Sequence, residues 1–353
     1  MKLYYVKNIE TPNMVKMLLK YHYTVYDIDE YIDGVAVLII TTDNIHNIQV
    51  HHIVEKYKDN SNFFFILNDA NEAYPWIHRT EYLVFYDILN KFKINRNRGI
   101  VAYNNAIKSD VSYYKSVGFR TIYFPTFFFE NSDWSMDTLQ KLRDTTPKTN
   151  DFSFFVRKGK PHKSLAAKYV IDNNYDVLMT YSKNRDFESD VIQTLDTDEY
   201  DFHLANENHF KSKIDLLIES EYESYPQKIH TWWIPENEYF DKTLHLTEKV
   251  WRNISFAIPF VIIGSKFSLK HLRDIGFKTF NTLIDESYDS MDDSIRLENA
   301  LIQGKELLKY WGSDELNKIL DFNQQLYSNM KFKRQKLYEY FLLPISNYIE
   351  KTL

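Results

Sequence analysis

Cysteine is absent from the 353 residues, which excludes disulfides and thiolate chemistry and fits a reducing compartment. Glycine is scarce, at 8. No Gly-x-Gly-x-x-Gly, Walker loop or Gly-x-Ser-x-Gly occurs, which removes the commonest dinucleotide, kinase-type and hydrolase readings. No apolar run approaches the roughly 20 residues of a membrane span. The opening Met1-Lys2-Leu3-Tyr4-Tyr5-Val6 is too short for a signal peptide. Net positive charge is lacking too. At -6 the chain is not built to grip nucleic acid over its whole surface, although a local basic groove is compatible with that balance.

What is present describes a globular protein of one or two domains, 44% hydrophobic and 26% charged. The first part alternates short apolar runs with polar helical segments. Strands are expected at Leu3 to Val6, Ala36 to Thr41, Phe63 to Leu67, Gly99 to Tyr103 and Arg120 to Phe124. Helices are expected at Pro12 to Tyr21, Ile45 to Lys58, Thr80 to Phe92 and Asn105 to Ser116. Such alternation predicts a parallel sheet with helices on both faces. The polar segment Asp144 to Asp151, which holds Pro147, is the best linker. Beyond it, strands are expected at Phe152 to Val156, Asp176 to Thr180 and Ile214 to Glu219, with a helix from Ser164 to Asp172. Gly118 and Gly276 each end a helix in the pattern, and each Phe-basic-Thr that follows reads as a strand start. Asp293 to Leu353 is mostly helical, with Pro344 placed to kink or break its last segment.

The central stretch is His245 to Asn253 followed by Ile258 to Ser265. Thr247 is a suitable N-cap, Glu248 sits in the first turn where the helix dipole favours it, and Glu248 and Arg252 share one face. Pro259 stops the helix, and Phe260 to Ile263 reads as a buried parallel strand. Gly264-Ser265 then falls where open α/β sheets place ligands.

Thr247-Glu248-Lys249-Val250-Trp251, continued through Leu269 to Phe280 and ending near Asp285 to Asp289, resembles the nucleotide-sugar-binding half of GT-B glycosyltransferases. It is similar to a viral and bacterial family with a Thr-Glu-Lys-x-Trp motif. A more distant similarity links it to fucosyltransferases and the T-even phage DNA β-glucosyltransferase. The resemblance covers a minor part of the chain, nearly all in its second half. It implies a GT-B arrangement: two Rossmann-like domains facing each other across a cleft, with a helical C-terminal tail. The expected limits are 1–147 for an acceptor-binding domain, 148–310 for a donor-binding domain, and 311–353 for helices returning to the first. In the family the acidic residue of the motif binds the donor ribose, which falls on Glu248.

Sugar transfer needs a stabilised diphosphate, an anchored nucleoside and a base for the acceptor hydroxyl. For the diphosphate, the turn Arg157-Lys158-Gly159-Lys160-Pro161-His162-Lys163 lies between a strand and a helix, where cations and free N–H groups can converge. Arg157, Lys158, Lys160 and His162 are the candidates there, with Lys249 and Arg252 second; a solvated loop and a weak Arg252–Glu248 pair are the bland alternatives. For the nucleoside, Glu248 can accept from both ribose hydroxyls, helped by Thr247 and Gly264. Glu219 and Glu221 are equally readable as family elements or as a polar strand end. For the base, Asp69 or Glu72 follows Phe63 to Leu67, with Asp27 and Asp29 as rivals. Trp232-Trp233 can stack on a sugar or simply pin a loop.

Asp27-Ile28-Asp29 and Asp196-Thr197-Asp198 have the spacing of a metal-binding pair, but among 49 acidic residues such spacings arise by chance, and no metal is expected. His51-His52 reads as a solvated helix face. The expected activity is transfer of a sugar from a nucleotide-diphosphate sugar, by inversion and without a metal. The acceptor is either a glycan or a hydroxymethylated base in phage DNA. Lys91, Lys93, Arg96 and Arg98 offer the basic surface that DNA would need. A nucleotide or sugar binder without catalysis is the alternative. The expected location is the cytoplasm, the host's if the protein is viral.

Overall fold

Apolar runs without alternation become strands covered on both faces, and the sheets are parallel throughout. The computed structural model describes residues 1–7, 13–41, 47–69, 87–103, 119–129, 135–156, 161–181, 207–219 and 244–353. Contacts divide the chain into two compact units, Met1–Glu130 with Met330–Leu353, and Asn131–Asn329.

In the first unit, β1 (Lys2–Tyr5), helix α1 (Asn13–Lys20), β2 (Val25–Asp27), β3 (Ala36–Thr41), helix α2 (Ile48–Lys56), β4 (Phe63–Asp69), β5 (Gly99–Tyr103) and β6 (Arg120–Tyr123) follow in order. The sheet order is β2-β1-β3-β4-β5-β6. The buried faces of Ala36 to Ile40 and Phe63 to Leu67 form its centre. β2 was not expected: its run is short, and Asp27 caps the next helical turn by accepting from Asp29 N. That local bond gives the Asp27-Ile28-Asp29 spacing a structural use. Asp196 and Asp198 lie outside the described residues, as do the expected helix Asn105 to Ser116, Gly118 and residues 80–86 of the helix expected from Thr80.

Arg98 corrects the expectation of a basic surface. It is buried, and its guanidinium donates to the carbonyls of Phe63 (2.7 Å), Lys58 (2.6 Å) and Tyr57 (3.1 Å). Burial lowers its pKa, with Asp59 pulling the other way. Lys91 and Lys93 are exposed, and Arg96 is half-buried and donates to Asn90. Because hydrogen bonds to a charged group are worth about 1.5–3 kcal/mol, Arg98→Ala is expected to cost about 2–3 kcal/mol in urea unfolding. A parent-like midpoint would show that water replaces the guanidinium.

The second unit continues with helix α3 (Met136–Thr145), β7 (Asn150–Val156), helix α4 (Pro161–Asp172), β8 (Val177–Tyr181), β9 (Ser212–Ile218), helix α5 (Glu248–Phe256), β10 (Phe260–Ile263), helix α6 (Ser268–Ile275), helix α7 (Asp293–Leu308) and helix α8 (Asp314–Ser328). The sheet order is β10-β9-β7-β8, so the order reverses between β7 and β9. Gly304 lets α7 lie close to this sheet, since a Cβ there would meet Leu216 at 2.9 Å.

The unit limits differ from the expected 147 and 310 because of two helices. Leu139 of α3 shares a buried cluster with Phe210, Phe256 and Ile258. Tyr327 of α8 stacks on Trp251, and Gln324 donates to Ser255 O at 2.8 Å. Pro259 is not what stops α5. Ala257 does so in a left-handed conformation (φ 52), while Ile258 N donates back to Asn253 O. Phe277 to Thr279 is not a strand either; Asn323 pins Lys278 there through its N–H and carbonyl.

Residues 330–353 belong to the first unit: helix α9 (Met330–Leu337), a π-helical turn Tyr338–Leu342, and helix α10 (Leu343–Thr352). Pro344 sits in the first turn of α10. The wider turn before it absorbs the missing N–H, so the helix is neither broken nor stopped. Phe341 lies 5.2 Å from Phe124, ring to ring, and Tyr348 donates to Asn97 O at 2.7 Å. Among the described residues no helix is long and apolar enough to cross a membrane.

Candidate functional site

The carboxyl ends of β7 and β9, where the strand order reverses, are where doubly wound sheets gather ligand-binding groups. Three segments of this chain meet there: the first turn of α4, the residue after β9 and the N-terminus of α5. His162 of α4 is buried, and its Nε2 lies 3.0 Å from the Glu219 carbonyl, a group that only accepts. So His162 ties the β7 and β9 ends together through this contact. Arg157, Lys158 and Lys160 lie outside the described residues.

Glu219 is the centre of this arrangement, fully buried at 0% exposure. Its Oε1 accepts from Thr247 N at 3.0 Å and its Oε2 from Thr247 Oγ1 at 2.6 Å. Lys249 Nζ lies 3.5 Å from Oε2. Gly264, just past β10, permits this: a Cβ there would stand 3.2 Å from Glu219 Cβ and 3.3 Å from Cγ. Glu219 N also donates to Ile263 O. Thr247 in turn caps α5, its Oγ1 accepting from Lys249 N at 3.4 Å. A buried carboxylate thereby holds the cap, and the cap aims the helix.

Glu248 opens that helix with its side chain about one third exposed, at 32%, and its Oε1 3.4 Å from Lys249 Nζ. Burial pushes the Glu248 carboxyl up. Lys249, its own backbone N–H and Arg252 outweigh that and hold it below the usual carboxylate range. Burial also works against the Lys249 charge, but Glu219 and Glu248 more than offset it and keep the ammonium above its ordinary value. The two directions agree. An ionised, partly open carboxylate therefore sits against a buried cation, and it can accept from two neighbouring hydroxyls. Lys249 is 13% exposed and turned toward Glu219, Thr247 and Glu248.

Arg252 does not form the Glu248 pair that was the bland alternative to a diphosphate contact. Its Nη2 lies 3.7 Å from Asp215 Oδ2, both side chains being buried. Asp215 also accepts from Ser153 Oγ (3.0 Å) and Asn253 Nδ2 (2.6 Å). Burial raises the Asp215 pKa, while Arg252, Asn253 and Ser153 pull it back. The sequence reading missed this network. Its signal was a lone carboxylate inside the apolar run Ile214-Asp215-Leu216-Leu217-Ile218.

Asp69 ends β4, paired in register with Tyr103. Glu72, Glu221 and Trp232-Trp233 lie outside the described residues. His51 and His52 occupy α2, the first half-buried and the second exposed. Among the described residues, no group of acidic and histidine side chains is placed to hold a metal ion. No family model and no curated protein matches this chain.

Proposed function

We propose that this chain is a nucleotide-sugar-dependent glycosyltransferase of the GT-B class, with the donor held by the second unit. One observation carries the reading: the ionised, partly open Glu248 carboxylate at the start of α5, set by the Thr247–Glu219 cap beside the point where the strand order reverses. A carboxylate so placed suits the two hydroxyls of a ribose. Arg157, Lys158 and Lys160 of the turn after β7 supply positive charge for the diphosphate in place of a metal, while Lys249 and Arg252, the other cations expected there, are engaged with Glu219 and Glu248 and with Asp215. The acceptor oxygen attacks the anomeric carbon as its bond to phosphate breaks. The diphosphate leaves with the bonding pair, and the acceptor proton passes to Asp69 or Glu72. Internal use of Arg98 takes one cation from the surface DNA would require, which favours a glycan acceptor.

A thermal-shift panel of nucleoside diphosphates and their sugars identifies the donor, because a ligand of the native state raises the melting point. Calorimetry on Glu248→Ala then tests the assignment. Loss of charge-assisted bonds worth about 1.5–3 kcal/mol is expected to weaken the donor about ten- to hundredfold, with the melting point little changed. Parent-like affinity, or a panel with no response, removes the reading. Donor binding with no hydrolysis or transfer in any acceptor screen leaves a binder and removes the enzyme.

A further inference from the structure

Phe267 presents a large apolar side chain to solvent, 45% exposed, with its backbone in the left-handed region (φ 67). That conformation disfavours a residue with a Cβ. Its backbone is nevertheless fixed: Phe267 N donates to Asp289 O and Phe267 O accepts from His271 N, both at 2.8 Å. The ring stands at a cavity of about 540 Å³ between α6 and residues 281–290, a size suited to a small ligand. None of Glu219, Thr247, Glu248 and Lys249 lines it.

The charged groups of this wall are largely occupied. Lys270 pairs with Asp274 and Arg273 with Glu286, each at 2.6 Å. Glu286 also accepts from Thr279 Oγ1 and Phe280 N, and Asp289 takes the N–H groups of Leu269 and Lys270. An anion therefore finds no unpaired cation, and the N-terminus of α6 is already capped. What stays open is the Phe267 ring, the exposed amide of Asn281, the exposed Asp285 carboxylate and the exposed Ser287, with Ile284 also in the lining and the Ser290 hydroxyl donating to Ser287 O. Ser287 N donates to Asp285 Oδ1 at 2.9 Å and so orients that carboxylate.

We propose that this cavity binds a neutral saccharide, one apolar sugar face stacked on Phe267 and its hydroxyls bonded to Asn281, Asp285 and Ser287. An aromatic face beside amide, carboxylate and hydroxyl groups matches a ring that is apolar on one side and rich in hydroxyls at its rim. This goes beyond the donor site and does not depend on it.

Saturation-transfer NMR on the full chain with glucose, galactose, N-acetylglucosamine and lactose tests the site. Transfer to ring protons of at least one sugar is expected. It should persist in Glu248→Ala and in the presence of excess nucleoside diphosphate. Phe267→Gly is expected to abolish it while keeping or raising the melting point, because glycine relieves the left-handed strain. Asp285→Asn, on an exposed side chain, should weaken it about tenfold, as expected for loss of one charged hydrogen bond. A stronger response from lactose than from glucose or galactose assigns a glycan chain; an equal one assigns a free sugar. Absence of transfer to all four sugars overturns the proposal. So does transfer that survives Phe267→Gly, or that nucleoside diphosphate displaces.

Discussion

Replacing Glu219 by alanine is expected to destabilise the second unit by about 3–5 kcal/mol, as when one member of a buried charge pair is removed. The carboxylate is fully buried, and both oxygens are in use. Without it, Thr247 N loses its acceptor and Lys249 keeps a charge that burial disfavours. Glu219→Gln keeps the shape and one acceptor, so it should cost less, about 1–3 kcal/mol. Its NH₂ would face either the Thr247 N–H, which cannot accept, or Thr247 Oγ1, which already accepts from Lys249 N and Nζ. Urea midpoints of the three proteins give the ranking. If Glu219→Ala unfolds with the parent, the cap does not organise α5, and Glu248 must be aimed by something else.

Asp215→Ala is the second large effect, again about 3–5 kcal/mol, because it strands a buried guanidinium. Arg252 Nε and Nη1 already have no hydrogen-bond partner, so Asp215 provides its nearest compensation. Adding Arg252→Met to Asp215→Ala removes the stranded charge and is expected to recover part of the loss. Recovery is incomplete because Asn253 Nδ2 and Ser153 Oγ still lose their acceptor. A double-mutant cycle should return a coupling of about 0.5–3 kcal/mol. Strict additivity would mean that the 3.7 Å contact contributes nothing.

These two carboxylates show where sequence reading stops. Ala36 to Thr41 and Gly99 to Tyr103 are strands with the bounds their apolar runs imply, because burial on both faces leaves no other use for such runs. α3 went unrecognised: Met136 to Thr145 is mostly polar and buries Leu139 alone, so its pattern matches that of a linker. Thr247 is legible as a cap because capping is local chemistry, settled within one helical turn. Glu219 is not legible in that way. It sits 28 residues before its partner, and a glutamate at a strand end has the same composition whether it faces water or a buried threonine. Arg98 fails for the mirror reason. In a basic run its charge suggests the surface, yet three carbonyls from the turn before β4 and from its first residue draw it inward.

The first unit is discontinuous, and that sets an order of assembly. Residues 131–329 form one uninterrupted body, whereas Leu337, Phe341 and Ile345, buried with the first unit, are made only afterwards. During synthesis the segment made first must therefore wait with an apolar seat uncovered while the later one can already close. A released chain ending after residue 329 would carry a finished second unit and an unfinished first one prone to chaperone capture.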